Sequence, residues 1–332
     1  MFPELFELPF IGVAVKSYGL MMVTGFLLAV FVMRRLSRMV RQDPDHITNV
    51  ALYALISGVI GARIFYVIHH HDQFVGDFAS VFAVWQGGLE FLGGVVLAIA
   101  VVLVYLVRNK LRLWLSFDML AIGLMIGLSF GRVGCFLNGC CFGKPTNVCW
   151  AVRFPYGSPS YISQSRPDPA RNRFTPQIDL PAEYFGIYAP DGHTWIPATE
   201  ENKYFRYLKP RELLTPDQKQ AVGNKYKALP VHPTQLYSSI DAMMICVVLL
   251  FFWRRFGMTH PGTTISLMFI LYGPMRFLEE MIRDDNPYEH LWWVLHDGWT
   301  VSQNLGIYLA IVWSVIFVLR IRKKVPLPQE QS

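Results

Sequence analysis

The stretch ITNVALYALISGVIGARIFYVI, residues 47–68, runs for 22 positions with a single charge, Arg63, inside it. A bilayer's hydrocarbon core is about 30 Å thick, and an α-helix needs about 20 predominantly apolar residues to cross it. The stretch therefore reads as a membrane span. Working outward, six further runs of similar character lie at 17–33, 89–107, 114–130, 235–253, 263–281 and 301–319. The predicted fold class is an all-α integral membrane protein with seven transmembrane helices. Composition agrees: 53% of residues are hydrophobic and only 16% charged, against about 25% charged in an average soluble protein. Mean hydropathy is positive, at +0.31. Together these exclude an ordinary soluble globule.

The cations between the runs set the orientation. Arg34, Arg35, Arg38 and Arg41 follow the first run; Arg108, Lys110 and Arg112 the third; Arg254 and Arg255 the fifth; and Arg320, Arg322, Lys323 and Lys324 the seventh. All thirteen fall on one side if the N-terminus is outside, so the positive-inside bias predicts N-out, C-in. The N-terminus, MFPELFELPF, has no positive leader region, so a removable signal peptide is not expected and the first run is kept as a span. The net charge of +6 is thus mostly topology and surface, and no nucleic-acid partner is implied. The expected organisation is spans one to four in 1–143, an extracytoplasmic insert in 144–230, spans five to seven in 231–322 and a cytoplasmic tail in 323–332. The insert is polar and Pro-rich, with twelve Lys/Arg and eight Asp/Glu residues. It reads as a small mixed or irregular cap, built around aromatics such as Trp150, Tyr184, Trp195 and Tyr204, or alternatively as a flexible segment without function.

Ionisable groups within spans are costly, on the order of 3 kcal/mol at the centre of a helix, and so invite functional readings. Here they are Arg63, Glu90, Asp118, Arg132, Asp241, Arg276, Glu279, Glu280 and Arg283. Arg132 lies in GRVGCFLNGCCFG, residues 131–143, whose four glycines permit close backbone approach and a helix break. A guanidinium forks onto two phosphate oxygens and stays charged, so Arg132 suits a phosphodiester; the alternative is a snorkelling arginine paired with a carboxylate. Arg276 and Glu280 are spaced i,i+4 and can pair on one helix face. Arg283, a turn further on, can reach interfacial phosphates. Gly58, Gly61, Gly93 and Gly94 read first as helix-packing residues. His69, His70 and His71 read as a solvated run at a span end before a metal site.

Taken in order, SYGLM (17–21), GAR (61–63), WQGG leading into FLGG (85–94), the GRVG block, HPTQLY (232–237), YGPMRFLEEMIRDD (272–285) and SQNLGI (302–307) resemble the prolipoprotein diacylglyceryl transferase family. The resemblance covers nearly all of the membrane part; the insert matches poorly beyond 149–155 and looks lengthened. It implies transfer of the diacylglyceryl group of phosphatidylglycerol, a membrane lipid, to the lipobox cysteine thiol of a prolipoprotein signal peptide at the bacterial inner membrane. A thioether forms, glycerol phosphate leaves, and neither metal nor organic cofactor is required. Carried over by position, Tyr18 is the active-site tyrosine, Arg132 and Arg276 hold the lipid headgroup, Glu280 is the span-six glutamate and Gly143 a signature glycine. Arg63 and His232 join them as candidate headgroup contacts. The chain departs from the pattern at three positions: Leu92 replaces the histidine proposed as general base, Cys135 an asparagine and Cys140 a glutamate. A base must then come from His232, Tyr18, Glu280 or Glu90, unless the arginine field alone holds the thiolate.

Cys135, Cys140, Cys141 and Cys149 lie within fifteen residues on the predicted outer side. Disulfides bracing the loop are the first expectation there. A metal site is a weaker one, because C-x4-CC-x7-C lacks the paired C-x2-C of zinc folds. A redox pair is the third. Cys246 reads as a small packing residue. Besides lipid transfer, two other functions are open: a membrane thiol-redox enzyme using Cys135, Cys140 and Cys141, and a non-catalytic paralogue that binds lipid.

Overall fold

The computed structural model describes residues 4–7, 14–74, 80–83, 87–284, 295–296 and 298–325. Trp85, Gln86 and Asp285 of the quoted motifs lie outside the described residues. Strands β1 (Glu4–Glu7) and β2 (Ala14–Lys16) pair antiparallel ahead of the first long helix. The helices then run α1 (Ser17–Met39), α2 (Pro44–His69), α3 (Phe91–Arg108) and α4 (Leu113–Asn138). Short helices α5 (Pro159–Gln164) and α6 (Pro216–Gly223) precede α7 (Thr234–Phe252), α8 (Thr263–Ile282) and α9 (Val301–Ile321).

Each predicted run is thus a helix. Among the described residues six helices are long and apolar enough to cross a membrane: α1, α2, α3, α4, α7 with its continuation to Gly257, and α9. Helix α8 has the length, but Arg276, Glu279 and Glu280 stand together near its C-terminal end. Helix α2 starts three residues ahead of the predicted run, with Asp43 accepting the N–H of Asp45 and Pro44 in the first turn.

Two compact units are distinguished along the chain. One comprises Phe26–Ile126, Cys246–Met268 and Ser314–Ser332. In it, a Cβ added at Gly61 would meet the carbonyl of Gly93, and one at Gly94 would lie 2.7 Å from the carbonyl oxygen of Gly58. The packing reading of these glycines therefore holds. Asp118, fully buried, accepts the N–H groups of Gly262 (2.6 Å) and Ile265 (2.8 Å) and so caps the start of α8. Glu90 accepts from His69 Nδ1 at 2.6 Å. Cys246 is buried with its thiol toward the Ile122 carbonyl, as a packing residue would be.

The other unit comprises Met1–Gly25, Gly127–Ile245 and Phe269–Trp313. Its segment between α4 and α7 folds around its own core of Tyr161, Ile178, Leu180, Tyr184, Phe185, Leu214 and Ala228. There, β3 (Phe185–Tyr188) is flanked by antiparallel β4 (Trp195–Pro197) and β5 (Tyr207–Leu208). Thr215 and Gln218 form a reciprocal capping box on α6. Lys203 is buried, with its Nζ 3.0 Å from Asp179, 2.9 Å from Glu200 and 3.0 Å from the Leu180 carbonyl. Burial alone would lower this ammonium's pKa, but the hydrogen bonds to Glu200 and Asp179 outweigh it and hold the pKa above the ordinary lysine value. The flexible alternative for the segment does not fit this packed core.

The segment leaves and returns through one neck. Thr146 N–H donates to Pro230 (2.9 Å), Val152 and Val231 exchange both backbone bonds at 3.0 Å, and Lys144 N–H donates to Ile282 at the end of α8 (2.8 Å). Arg173 reaches Asp284 at 2.9 Å.

Candidate active site

The expected helix break at the glycine block falls later than the sequence suggests. Helix α4 continues through Arg132, Gly134 and Cys135 to Asn138. Gly134 serves close approach: a Cβ there would sit 3.0 Å from the Tyr18 ring and 3.3 Å from the Met21 Cβ. The break comes at Gly139 (φ +77°), whose N–H closes on the Cys135 carbonyl at 2.9 Å. Cys141 is also left-handed (φ +58°), a conformation non-glycine residues adopt rarely.

This double reversal carries Cys140 and Cys141 back toward Cys135. The three sulfurs lie within 4.8 Å of one another. The turn is pinned from α7, where Thr234 Oγ1 donates to the Cys141 carbonyl (2.8 Å) and Gln235 Nε2 to that of Cys140 (2.7 Å). That is the local work of HPTQ. All five cysteines are free thiols, so the disulfide expectation fails in this structure; Cys149 is exposed and outside the sulfur group. Hydrogen bonds from Cys135 and Cys140 hold the Cys141 thiol below its ordinary pKa; burial opposes them, and Arg283 and Arg132 act in the same sense as the bonds.

Tyr18, in the first turn of α1 and 41% exposed, has Cys135, Cys140, Cys141 and Arg132 as its electrostatic neighbours. Arg132 has a buried Nε without a hydrogen-bond partner. Among the described residues no carboxylate forms an ion pair with Arg132, so the snorkelling alternative lacks the partner it requires. Arg276 is buried (9% exposed) and pairs with Glu280 at 2.6 Å and Glu279 at 3.8 Å; its Nη2 also donates to Ser302 at 3.2 Å, while Nη1 is buried without a hydrogen bond. Glu280 (5% exposed) also lies 3.8 Å from Arg283 and accepts from Thr300 at 3.1 Å. Ser238 donates to Glu279 at 2.9 Å. Arg276 and Arg283 thus share Glu279 and Glu280 in a network of two arginines and two glutamates, and Arg132 acts on Arg276 and Glu279 electrostatically from outside these ion pairs.

The remaining predicted residues take supporting places. Arg283 is a buried member of the network and does not stand free at an interface. Gly143 gives its N–H to the His232 carbonyl (3.0 Å), and a Cβ there would lie 2.7 Å from that of His232, so it serves close approach and has no donor left for a headgroup. His232 Nδ1 meets the Tyr237 hydroxyl at 3.3 Å, and Trp150 donates to the same hydroxyl at 2.6 Å. Arg63, in the other unit, gives its donors to carbonyls of a loop: Nε to Val81 (2.8 Å), Nη1 to Gly87 (2.7 Å) and Gly88 (2.9 Å), and Nη2 to Ser80 (2.6 Å). It is a loop anchor. Sequence reading missed Ser238 and Thr300; an isolated hydroxyl on an apolar helix or at its start carries no signal until its carboxylate partner is placed.

Six helices long and apolar enough to cross a bilayer, with a buried arginine–glutamate network among the described residues, define a class: a multi-pass membrane protein. The chain belongs to the prolipoprotein diacylglyceryl transferase family, whose sequence profile matches residues 3–319. It is 28% identical to the phosphatidylglycerol–prolipoprotein diacylglyceryl transferase of Burkholderia multivorans, across 94% of this chain and 92% of that protein. It is 26% identical to the protein of the same name from Rhodopirellula baltica, across 94% of this chain and 73% of that one. The match to the Allorhizobium ampelinum protein is 36% identical, but covers 44% of this chain and about half (54%) of that relative's length.

Proposed function

We propose that this chain transfers the diacylglyceryl group of phosphatidylglycerol to the lipobox cysteine thiol in the signal peptide of a prolipoprotein, the first step of bacterial lipoprotein maturation. The observation that carries the reading is Arg132, a guanidinium that no carboxylate among the described residues pairs, whose buried Nε has no hydrogen-bond partner and whose electrostatic neighbours include Arg276 and Glu279. A buried donor left unmade is costly, and a phosphodiester satisfies it. In the reaction the thiolate sulfur attacks the glycerol carbon bearing the phosphate. The S–C bond forms as the C–O bond breaks, and glycerol phosphate leaves with the electron pair. Arg132 and Arg276 stabilise the charge that builds on the leaving phosphate. Glu280 holds Arg276 in place, and Tyr18 borders the route between Arg132 and the thiols. Leu92 cannot take a proton; the acceptor thiol gives its proton to water, and the positive charge of Arg132, which no carboxylate among the described residues pairs, favours the thiolate that remains.

The reading places the enzyme in the bacterial inner membrane with seven spans, N-terminus outside and C-terminus cytoplasmic. The site and the 144–230 insert then lie toward the outer face, between span blocks 1–143 and 231–322, with 323–332 as the cytoplasmic tail. It is supported by the positive-inside bias and by the family's membership.

The test is complementation of a transferase-depleted bacterium with wild type, Arg132→Ala, Arg276→Ala and a Cys135/Cys140/Cys141/Cys149→Ser variant. Thioether-lipidated lipoprotein is expected with wild type and lost with either arginine variant. A well-expressed wild type that never restores it would overturn the reading. Active arginine variants beside a dead cysteine variant would move the assignment to thiol redox chemistry.

A further inference from the structure

The geometry points to a zinc site: Cys135, Cys140 and Cys141 form a three-thiolate cradle for one Zn²⁺, whose fourth position takes the acceptor cysteine of the incoming prolipoprotein. This inference rests on the transfer reading above and deepens it by naming what activates the thiol.

Three observations converge. The sulfurs already lie within 4.8 Å of one another. A tetrahedral zinc with Zn–S bonds of about 2.3 Å needs sulfurs roughly 3.8 Å apart, so small side-chain rotations close the set. The backbone is shaped for convergence, since Gly139 and Cys141 are both left-handed and the carbonyls of Cys140 and Cys141 are tied to Gln235 and Thr234. The charges are also suited. Zn²⁺ with three thiolates carries one negative charge, and Arg132 and Arg283 are the nearby cations acting on Cys141. Three protein ligands leave one coordination position open, which distinguishes catalytic zinc from closed structural sites. Spacing along the chain did not show this, because the ligands are gathered by a helix end and its reversal, not by a paired C-x2-C knuckle.

The chemistry supplies what Leu92 cannot. The acceptor thiol enters the open position, loses its proton to water and is held as a thiolate at neutral pH. Its sulfur then forms the S–C bond to the glycerol carbon while the C–O bond to phosphate breaks and glycerol phosphate takes the electron pair. Zinc changes no oxidation state, and no redox partner is needed.

The test uses the full-length protein in detergent micelles, with Zn²⁺ and Co²⁺ as probes. After equilibration with Zn²⁺ and removal of excess, about one zinc per chain is expected. Cys135→Ser, Cys140→Ser and Cys141→Ser should each reduce it to background, and Cys149→Ser should not. Co²⁺-loaded wild type, which needs no substitution and so no refolding control, should show a thiolate-to-cobalt charge-transfer band. That band should shift on addition of a lipobox-type peptide and not of its Cys→Ser analogue. Substoichiometric zinc in wild type, zinc unaffected by the three serine variants, a band indifferent to the thiol peptide, or a disulfide among the three cysteines in protein purified without reductant would each overturn the inference. These readouts need no lipid donor. Undiminished lipid transfer by chelator-treated, metal-free protein would discard the zinc and leave the transfer reading standing.

Discussion

Arg63 and Arg132 are both arginines placed in apolar helices, and they are treated in opposite ways. Arg63 makes four hydrogen bonds to carbonyls of residues 80–88, while Arg132 keeps a buried Nε with no partner. Burying a guanidinium costs several kcal/mol unless its donors are met. A buried Nε without a partner also occurs at Arg166, Arg171 and Arg173, but each of those is bonded through an Nη atom, whereas among the described residues Arg132 makes no ion pair or side-chain hydrogen bond. Arg276 stands between Arg63 and Arg132, paired to Glu280 yet with a buried Nη1 to spare.

The sharpest break in the comparison is expected at Arg276. Replacement by alanine removes one of the two cations of the proposed headgroup site and takes from buried Glu280 its 2.6 Å arginine contact, leaving Arg283 at 3.8 Å and Thr300 at 3.1 Å. The expected outcome is loss of lipid transfer together with about 3–5 kcal/mol of stability, seen as a drop in Tm measured in detergent. Arg132→Ala should separate those effects: transfer falls by about 10²–10³-fold with Tm nearly unchanged, because no internal bond is lost. Arg132→Lys should rescue little, since an ammonium cannot fork onto two oxygens. A large Tm loss in Arg132→Ala would show that its donors are met internally after all.

Arg63→Ala should do the reverse. It frees loop carbonyls and lowers stability by about 1–3 kcal/mol, while turnover per folded molecule stays close to wild type. An intact Tm with abolished turnover would return Arg63 to the headgroup. The smallest effect is expected in the folded segment between α4 and α7. There Glu200 has its pKa lowered by the hydrogen bond from Lys203 and then by that from Ala182 N–H. A carboxylate depressed on folding stabilises above its unfolded value of about 4.3, and that contribution is lost as pH falls through the folded pKa. Glu200→Gln should therefore lower Tm slightly at neutral pH and flatten the acid side of a Tm-versus-pH profile, the variant and wild-type curves converging below the folded pKa.

Much of this contrast was legible before any coordinates. Hydropathy located every long helix, and the cost of intramembrane charge singled out Arg132, Arg276 and Glu280. The positions that misled did so for identifiable reasons. Gly131 and Gly134 suggest a broken helix, because sequence does not distinguish a glycine that frees the backbone from one that admits a neighbour; Gly134 admits Tyr18. Arg63 looked like Arg132 because composition registers a charge and not how many of its donors are met. The sulfur cluster was hidden because it depends on two left-handed residues, Gly139 and Cys141, and nothing in C-x4-CC announces the second. Gly143 drew attention as a signature position, but its N–H is already committed to His232.

The neck has a consequence for how such a chain can change over evolutionary time. Because Thr146 bonds Pro230 and Val152 ladders with Val231, everything between those pairs is an excursion whose ends are fastened together. Its length can drift without shifting α4 against α7, much as cargo can be exchanged on a fixed hitch. A graft that replaces residues 156–227 with a short turn is expected to forfeit the Arg173–Asp284 tie and to keep the helices in register.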